Sequence, residues 1–88
     1  MIVLKSPAEL DKMRAAGRIV AETLALLESR VKPGVRTAEL NRLAEKECER
    51  HGAKPVFKGY GGFPYSICSS PNDRVVHGFP DNNPLQDG

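Results

Sequence analysis

The residues best suited to chemistry lie between Phe57 and Pro80, in the stretch FKGYGGFPYSICSSPNDRVVHGFP. It places one imidazole, from His77, and one thiol, from Cys68, among aromatic residues and glycines. Apolar and aromatic side chains with a few polar groups among them are typical of a small-molecule pocket. The stretch therefore predicts the wall of a small apolar pocket with one polar side chain directed into it.

His77 follows the β-branched pair Val75–Val76 and precedes Gly78. An imidazole at the end of a strand can donate a hydrogen bond or act as a general acid, and a neighbouring glycine permits close approach of a ligand. The alternative is a half-buried histidine bonded to a backbone carbonyl. Spacing alone leaves both interpretations open.

The glycines of Gly59–Pro64 (GYGGFP) do not form a phosphate loop. The segment lacks the G-x-G-x-x-G spacing, has no lysine–serine end, and does not lie between a strand and a helix. We interpret the glycines as a sharp turn that lets Tyr60 and Phe63 face one cavity. A simple aromatic core cluster is the alternative.

The cysteines and carboxylates give no metal site. Cys48 and Cys68 lie twenty positions apart without a C-x-x-C pair, so reduced thiols in a cytosolic protein are expected. Cys68 is interpreted as a small wall residue of a strand, Cys48 as core, and His51 as an exposed residue near a helix C-terminus. The aspartates are scattered and the glutamates lie on helices, so no cluster with ligand spacing emerges.

Two helices are expected to precede this stretch. The first begins with Ser6 as N-cap, Pro7 at the first helical position and Glu9 completing a capping box, and it ends at residues 31–34. The second is capped by Thr37 and ends before Gly52. Spacings of three and four residues predict the buried faces. These faces are Leu10, Met13, Gly17, Val20, Leu24 and Leu27 on the first helix, with Gly17 in close backbone packing, and Leu40, Leu43, Ala44 and Cys48 on the second.

Two short strands are predicted after the helices, Tyr65–Ser69 and Arg74–Gly78, paired across the turn Ser70–Asp73. The order helix, helix, strand, strand indicates an α+β fold in which helices cover one face of an antiparallel sheet. Two strands alone are too few for a stable sheet, so we expect further strands from additional sequence or another chain.

Composition excludes several classes of protein. Hydrophobic residues make up 40% of the 88 positions and charged residues 27%, which is typical of a soluble globular domain. The net charge is only +2, without a cluster of Lys and Arg, so no nucleic-acid partner is expected. No apolar run approaches the roughly 20 residues that cross a bilayer, so membrane insertion is not expected.

Four ordered blocks of the sequence resemble the N-terminal part of type I methionine aminopeptidases, which have the pita-bread or creatinase-like fold. Together they extend along nearly the whole chain, which makes the resemblance more specific than any single motif. The blocks are SPAELDKMRAAG (residues 6–17), VKPGVRT (31–37), FKGYGGFP (57–64) and NDRVVHG (72–78).

The resemblance implies removal of the initiator methionine from nascent polypeptides by two-metal hydrolysis in the cytoplasm, with a ribosome-proximal location left open. It implies that His77 bonds the scissile amide as the catalytic residue. It also implies that Phe57, Tyr60, Phe63 and Cys68 line the pocket for the methionine side chain, whose thioether is attracted to ring edges by about 0.3–1.5 kcal/mol per contact.

The family's ligands for its two divalent ions (Co, Fe, Mn or Zn) have no counterpart in these 88 residues. We therefore expect residues 1–88 to be the N-terminal part of a single catalytic domain, inactive alone, whose partner is the missing C-terminal part. Two alternatives stay open: a peptidase fragment specific for Xaa-Pro bonds, and a creatinase-like module that has lost catalysis and binds a partner.

Overall fold

The computed structural model describes all 88 residues, Met1–Gly88, and contains two α-helices. Helix α1 spans Pro7–Arg30 and helix α2 spans Thr37–Arg50. A short 3₁₀ helix spans Tyr60–Gly62, and the remaining residues form turns and extended segments. Neither α-helix combines the length and the apolar character that crossing a bilayer requires.

The start and end of α1 confirm the prediction from sequence. The Ser6 hydroxyl accepts from the Glu9 N–H at 3.2 Å, and the Ser6 N–H donates to Glu9 Oε1 at 2.9 Å, so the capping box is complete. The helix ends at Arg30, immediately before the predicted terminating segment.

The predicted buried face of α1 is largely wrong for this structure. Leu10, Met13, Val20 and Leu24 are all exposed, and no atom lies near the position that a Cβ on Gly17 would take. The half-buried positions are Ala15, Ile19, Thr23, Leu26 and Leu27. Helix α2 has 14 residues against 24 in α1, so it spans about 21 Å of a 36 Å helix and cannot cover its whole length.

Helix α2 begins differently from the prediction. Arg36, not Thr37, occupies the N-cap, and it forms no side-chain capping bond. The Thr37 hydroxyl accepts instead from the Asp81 N–H at 2.8 Å, and Ala38 N–H donates to the Asp81 carbonyl at 2.9 Å. Thr37 thus ties the C-terminal segment to α2.

Backbone hydrogen bonds also join the residues just before Thr37 to the C-terminal segment. Gly34 N–H donates to the Leu85 carbonyl and Leu85 N–H to the Val35 carbonyl, both at 2.8 Å. They flank an isolated antiparallel bridge between Arg36 and Pro84. The C-terminal segment is therefore held at the N-terminal end of α2.

Helix α2 ends just before a glycine in the left-handed conformation. Gly52 adopts φ 67°, its N–H donates to the Glu49 carbonyl, and Ala53 N–H donates to the Cys48 carbonyl at 2.8 Å. This pair of bonds is the Schellman motif, and it satisfies carbonyls that the helix itself leaves unpaired. The predicted end of the helix is confirmed.

The buried face of α2 forms the small core. Leu40 and Ala44 are buried as predicted, while Leu43 and Cys48 are half-buried. Asn41, a polar residue absent from the prediction, is buried on the same face. Its Oδ1 accepts from the backbone N–H groups of Ser66 at 2.9 Å and Ile67 at 3.2 Å, so it satisfies two donors at once.

Glu45 extends this polar connection by one helical turn. Its Oε1 accepts from Lys58 Nζ and from the Ser66 hydroxyl, each at 2.9 Å, and from Asn41 Nδ2 at 3.3 Å. The hydrogen bond from Lys58, followed by that from Ser66, holds the pKa of Glu45 below its ordinary value. One face of α2 therefore binds both ends of the segment 58–66.

The structure contains no β-strand, so the predicted antiparallel sheet is not confirmed. Val76 at φ 32° and His77 at φ 53° take left-handed backbone conformations that interrupt an extended strand, and Asn41 occupies the N–H groups of Ser66 and Ile67. One ladder-like bond remains, from Ser69 N–H to the Gly78 carbonyl at 2.9 Å. The turn between the two segments is present at Asn72–Asp73.

We predict that Asn41→Ala destabilises the chain by about 1–3 kcal/mol, because the N–H groups of Ser66 and Ile67 lose their acceptor. Chemical denaturation followed by circular dichroism measures the change. Asn82→Ala is the matched control, since Asn82 is exposed and its side chain forms no hydrogen bond. Equal stability of the two variants would contradict the role given to Asn41.

We also predict that acid weakens the fold through Glu45. A carboxyl whose pKa is lowered by folding contributes stability above its unfolded pKa of about 4.3, and that contribution is lost as pH falls through the folded pKa. The free energy of unfolding should fall between about pH 5 and pH 3, and Glu45→Gln should reduce the fall. Glu49→Gln, which removes an exposed α2 carboxylate without an ion pair, should not reduce it.

Candidate functional site

Five ring side chains from the segment 57–79 gather in one cluster. Phe63 lies at its centre, with ring centroids 4.9 Å from Phe57 and 5.3 Å from Phe79, both in edge-to-face geometry. Tyr65 is 6.2 Å from Phe63 and 5.4 Å from Phe79. His77 completes the cluster at 6.4 Å from Phe57. Edge-to-face pairs contribute about 0.5–1.5 kcal/mol each beyond burial, so the rings hold one another in place.

Helix α2 positions this cluster through the hydrogen bonds of Glu45. Glu45 binds Lys58, the neighbour of Phe57, and Ser66, the neighbour of Tyr65. The turn between these points is compact, because Gly59 at φ 88° donates its N–H to the Phe63 carbonyl at 2.6 Å. A left-handed conformation of this kind suits glycine. The sharp glycine turn predicted from sequence is thus present.

His77 is exposed, and neither ring nitrogen forms a hydrogen bond or ion pair within the chain. The alternative interpretation, a half-buried histidine bonded to a backbone carbonyl, is therefore wrong for this structure. A free imidazole beside aromatic rings can donate a hydrogen bond to a ligand bound against those rings.

The residue after His77 fixes the backbone there. Gly78 N–H donates to the Ser70 hydroxyl at 2.9 Å, and the Gly78 carbonyl accepts from Ser69. A Cβ on Gly78 would collide with the Ser69 carbonyl oxygen, so this close contact requires glycine. The Thr37–Asp81 bonds hold the chain again three residues later.

The other predicted pocket residues lie apart from the rings. Tyr60 is 75% exposed in the 3₁₀ helix and pairs with no other ring, and Cys68 is exposed with a free thiol. The structure thus brings together Phe57, Phe63 and His77 of the predicted set. It adds Tyr65 and Phe79, which the sequence interpretation missed. Their signal was spacing, because each lies two residues after a predicted site residue, the spacing at which side chains of extended backbone share one side.

One group of side chains has the spacing of metal ligands, and it lies between the two helices. His51 Nε2 is 3.0 Å from Glu22 of α1 and 3.2 Å from Glu47 of α2. His51 is half-buried, which corrects the prediction that it is exposed. The i, i+4 spacing of Glu47 and His51 is visible in the sequence, whereas the approach of Glu22 is not.

This group does not fit a metal centre. The Arg50 guanidinium lies 2.6 Å from Glu47 Oε1 and 3.1 Å from His51 Nε2, so a cation already occupies the atoms that a metal would need. The hydrogen bond from Arg50 lowers the pKa of Glu47, and the same bond to Glu47 raises the pKa of Arg50. The arrangement is an ion pair between Arg50 and Glu47 with the His51 ring beside it, and the contact of His51 Nε2 with Glu22 joins α1 to α2.

Residues 11–88 match metallopeptidase family M24. The whole chain is 53% identical to a methionine aminopeptidase of Clostridium perfringens and 51% identical to methionine aminopeptidase 1 of Bacillus subtilis. It covers 35% and 36% of those proteins, so it spans about a third of the length of the curated relatives it matches.

Solved structures agree with these relatives. The chain is similar over its full length to 36% of a methionine aminopeptidase from Rickettsia prowazekii, with a TM-score of 0.95 and 44% identity. A methionine aminopeptidase from Thermotoga maritima gives a TM-score of 0.92 at 37% identity, covering 98% of this chain and 34% of that one. These matches confirm the resemblance based on the four sequence blocks and support the pita-bread fold.

Within residues 1–88, the group with ligand spacing is the one that Arg50 contacts. The backbone of the chain is similar over its full length to about a third of the Rickettsia prowazekii structure. With the match over residues 11–88, these comparisons show that the chain belongs to metallopeptidase family M24.

Proposed function

We propose that residues 1–88 are the N-terminal part of a single catalytic domain that removes the initiator methionine from nascent proteins. Identity of 53% over all 88 residues to a protein named methionine aminopeptidase supports this activity. The observation that carries the proposal is the free imidazole of His77 beside Phe57, which in turn packs on Phe63. This arrangement offers a hydrogen-bond donor next to an apolar surface.

In this proposal the ring cluster receives the methionine side chain. The ring centroids of Phe57 and Phe63 lie 4.9 Å apart in edge-to-face geometry. A thioether gains about 0.3–1.5 kcal/mol from each contact with an aromatic ring. Tyr60 and Cys68 are proposed to line the outer part of the pocket, since both are exposed on the same segment. The pocket would select methionine by shape and by the polarisable sulfur.

His77 is the proposed catalytic residue. Its imidazole would donate a hydrogen bond to the scissile amide and stabilise the tetrahedral intermediate as it forms and collapses. Three features support that role: the ring is exposed, its nitrogens are free, and Gly78 holds the adjacent backbone against Ser69.

The ligands of two divalent ions (Co, Fe, Mn or Zn) are proposed to lie on the C-terminal part of the domain, outside these residues. The 88-residue chain alone is therefore proposed to be inactive. We propose a cytoplasmic location, with nascent polypeptides as substrate and neither nucleic acid nor membrane as partner. The modest net charge of +2 supports the absence of a nucleic-acid partner.

We predict that a chimera of residues 1–88 and the remaining part of the Clostridium perfringens protein releases methionine from a Met-Gly-Met peptide when a divalent ion is added. The 88-residue chain should release none. His77→Ala should lower kcat of the chimera by about 100-fold or more with a smaller effect on KM, because a positioned proton donor contributes mainly in the transition state.

His51→Ala is the matched control, since His51 lies between the helices beside Glu22 and Glu47 and not in the ring cluster. It should leave kcat of the folded chimera nearly unchanged. A chimera without turnover, whose binding to a partner is lost in His77→Ala, would favour the non-catalytic module instead. Preference for Xaa-Pro peptides over Met-Gly-Met would favour the other alternative.

A further inference from the structure

Two aromatic side chains that pack on Phe63 have no part in the proposed reaction. The ring centroid of Phe79 lies 5.3 Å from that of Phe63 at an interplanar angle of 80°, and the Tyr65 centroid lies 6.2 Å from it at 76°. The Tyr65 and Phe79 rings also contact each other, with centroids 5.4 Å apart. Neither ring pairs with Phe57 or His77. Through ring contacts, Tyr65 and Phe79 are therefore connected to these two residues only by Phe63.

The backbone positions that carry the two rings are held independently of each other. Next to Tyr65, the Ser66 N–H donates to Asn41 Oδ1 at 2.9 Å. Phe79 precedes Pro80, which is buried. A proline restricts its own φ angle and also the backbone of the residue before it. Two separately fixed positions thus present their rings to the same neighbour.

The backbone of Phe63 is fixed, but its ring is oriented only by its neighbours. The Phe63 N–H donates to the Tyr60 carbonyl at 3.0 Å, and its carbonyl accepts from the Gly59 N–H. These bonds leave the χ angles of the half-buried side chain to be set by packing. Edge-to-face contacts define the plane of a ring. A ring that is already oriented before a ligand binds avoids the entropy cost of ordering it on binding.

We propose that Tyr65 and Phe79 are positioning residues that fix the orientation of the Phe63 ring and thereby select a thioether over an alkyl side chain of the same length. This inference rests on the proposed function, in which Phe63 lines the methionine pocket. A thioether sulfur is attracted to aromatic rings and often lies at the ring edge. The selectivity therefore depends on how the Phe63 ring is turned as well as on its presence.

The test measures turnover of two peptides by the chimera, Met-Gly-Met and norleucine-Gly-Met, because norleucine replaces the sulfur with a methylene group. The measured quantity is the ratio of their kcat/KM values. Phe79→Ala and Tyr65→Ala should each lower this ratio by about two- to tenfold, which is the equivalent of one thioether–ring contact. A variant that is only less well folded loses activity on both peptides alike, so its ratio stays at the wild-type value.

Conservative and neighbouring substitutions provide the controls. Tyr65→Phe and Phe79→Tyr keep an aromatic ring at each position and should retain the wild-type ratio. Val75→Ala removes an apolar side chain that is 84% exposed in the same segment and should retain the ratio as well. An unchanged ratio in both Tyr65→Ala and Phe79→Ala would overturn the proposal. So would an equal fall of the ratio in Val75→Ala.

A double-mutant cycle determines whether the effect passes through Phe63. In a chimera that carries Phe63→Leu, the further substitution Phe79→Ala should leave the ratio unchanged, because the ring that Phe79 positions is already absent. If the two substitutions instead lower the ratio additively, Phe79 contacts the ligand directly and the positioning role is wrong.

Failure of this inference differs from failure of the proposed function. If the chimera has no aminopeptidase activity, the dissociation constants of the two peptides, measured by calorimetry, replace the kinetic ratio. Tighter binding of the methionine peptide that is lost in Phe79→Ala would then overturn the function and support the positioning role. Equal binding of both peptides by an inactive chimera would overturn both. An active chimera whose ratio is the same with and without the Phe79 and Tyr65 rings would overturn the positioning role alone.

Discussion

The rest of this structure depends on the hydrogen bonds that two polar residues of α2, Asn41 and Glu45, form with the segment after that helix. Asn41 accepts two backbone N–H groups, and Glu45 binds Lys58 and Ser66, so two neighbouring side chains hold the segment that carries the rings. Because few residues of the chain are buried, apolar packing alone provides little stability. Directional bonds from one helix therefore take the place that a large core has in a bigger domain.

The candidate site is a consequence of this arrangement. The rings of the cluster come from the two ends of the segment 57–79, and they meet because α2 fixes the first end while Ser69 and Ser70 fix the second at Gly78. His77 is left exposed with free nitrogens at the meeting point. Because the imidazole is exposed and its nitrogens form no hydrogen bond within the chain, it is available to a ligand.

The same chain also leaves much apolar surface uncovered. Helix α1 is longer than α2 and presents Val20 and Leu24 to an open groove, and the segments predicted as strands lack neighbours with which to pair. Both features have one physical cause, since helices and strands bury their apolar sides only against a further layer. Membership of family M24 and a span of about a third of its relatives fit this picture.

The sequence by itself determined the local features: the capping box at Ser6, the glycine end of α2, the glycine turn before Phe63, and the blocks that resemble the family. Each depends on residues within a few positions of one another, so spacing reveals it. Only the tertiary structure decided that Asn41 is buried, that Tyr65 and Phe79 join the cluster, and that the predicted strands do not form. These outcomes depend on contacts between residues far apart in the chain, which local propensity does not contain.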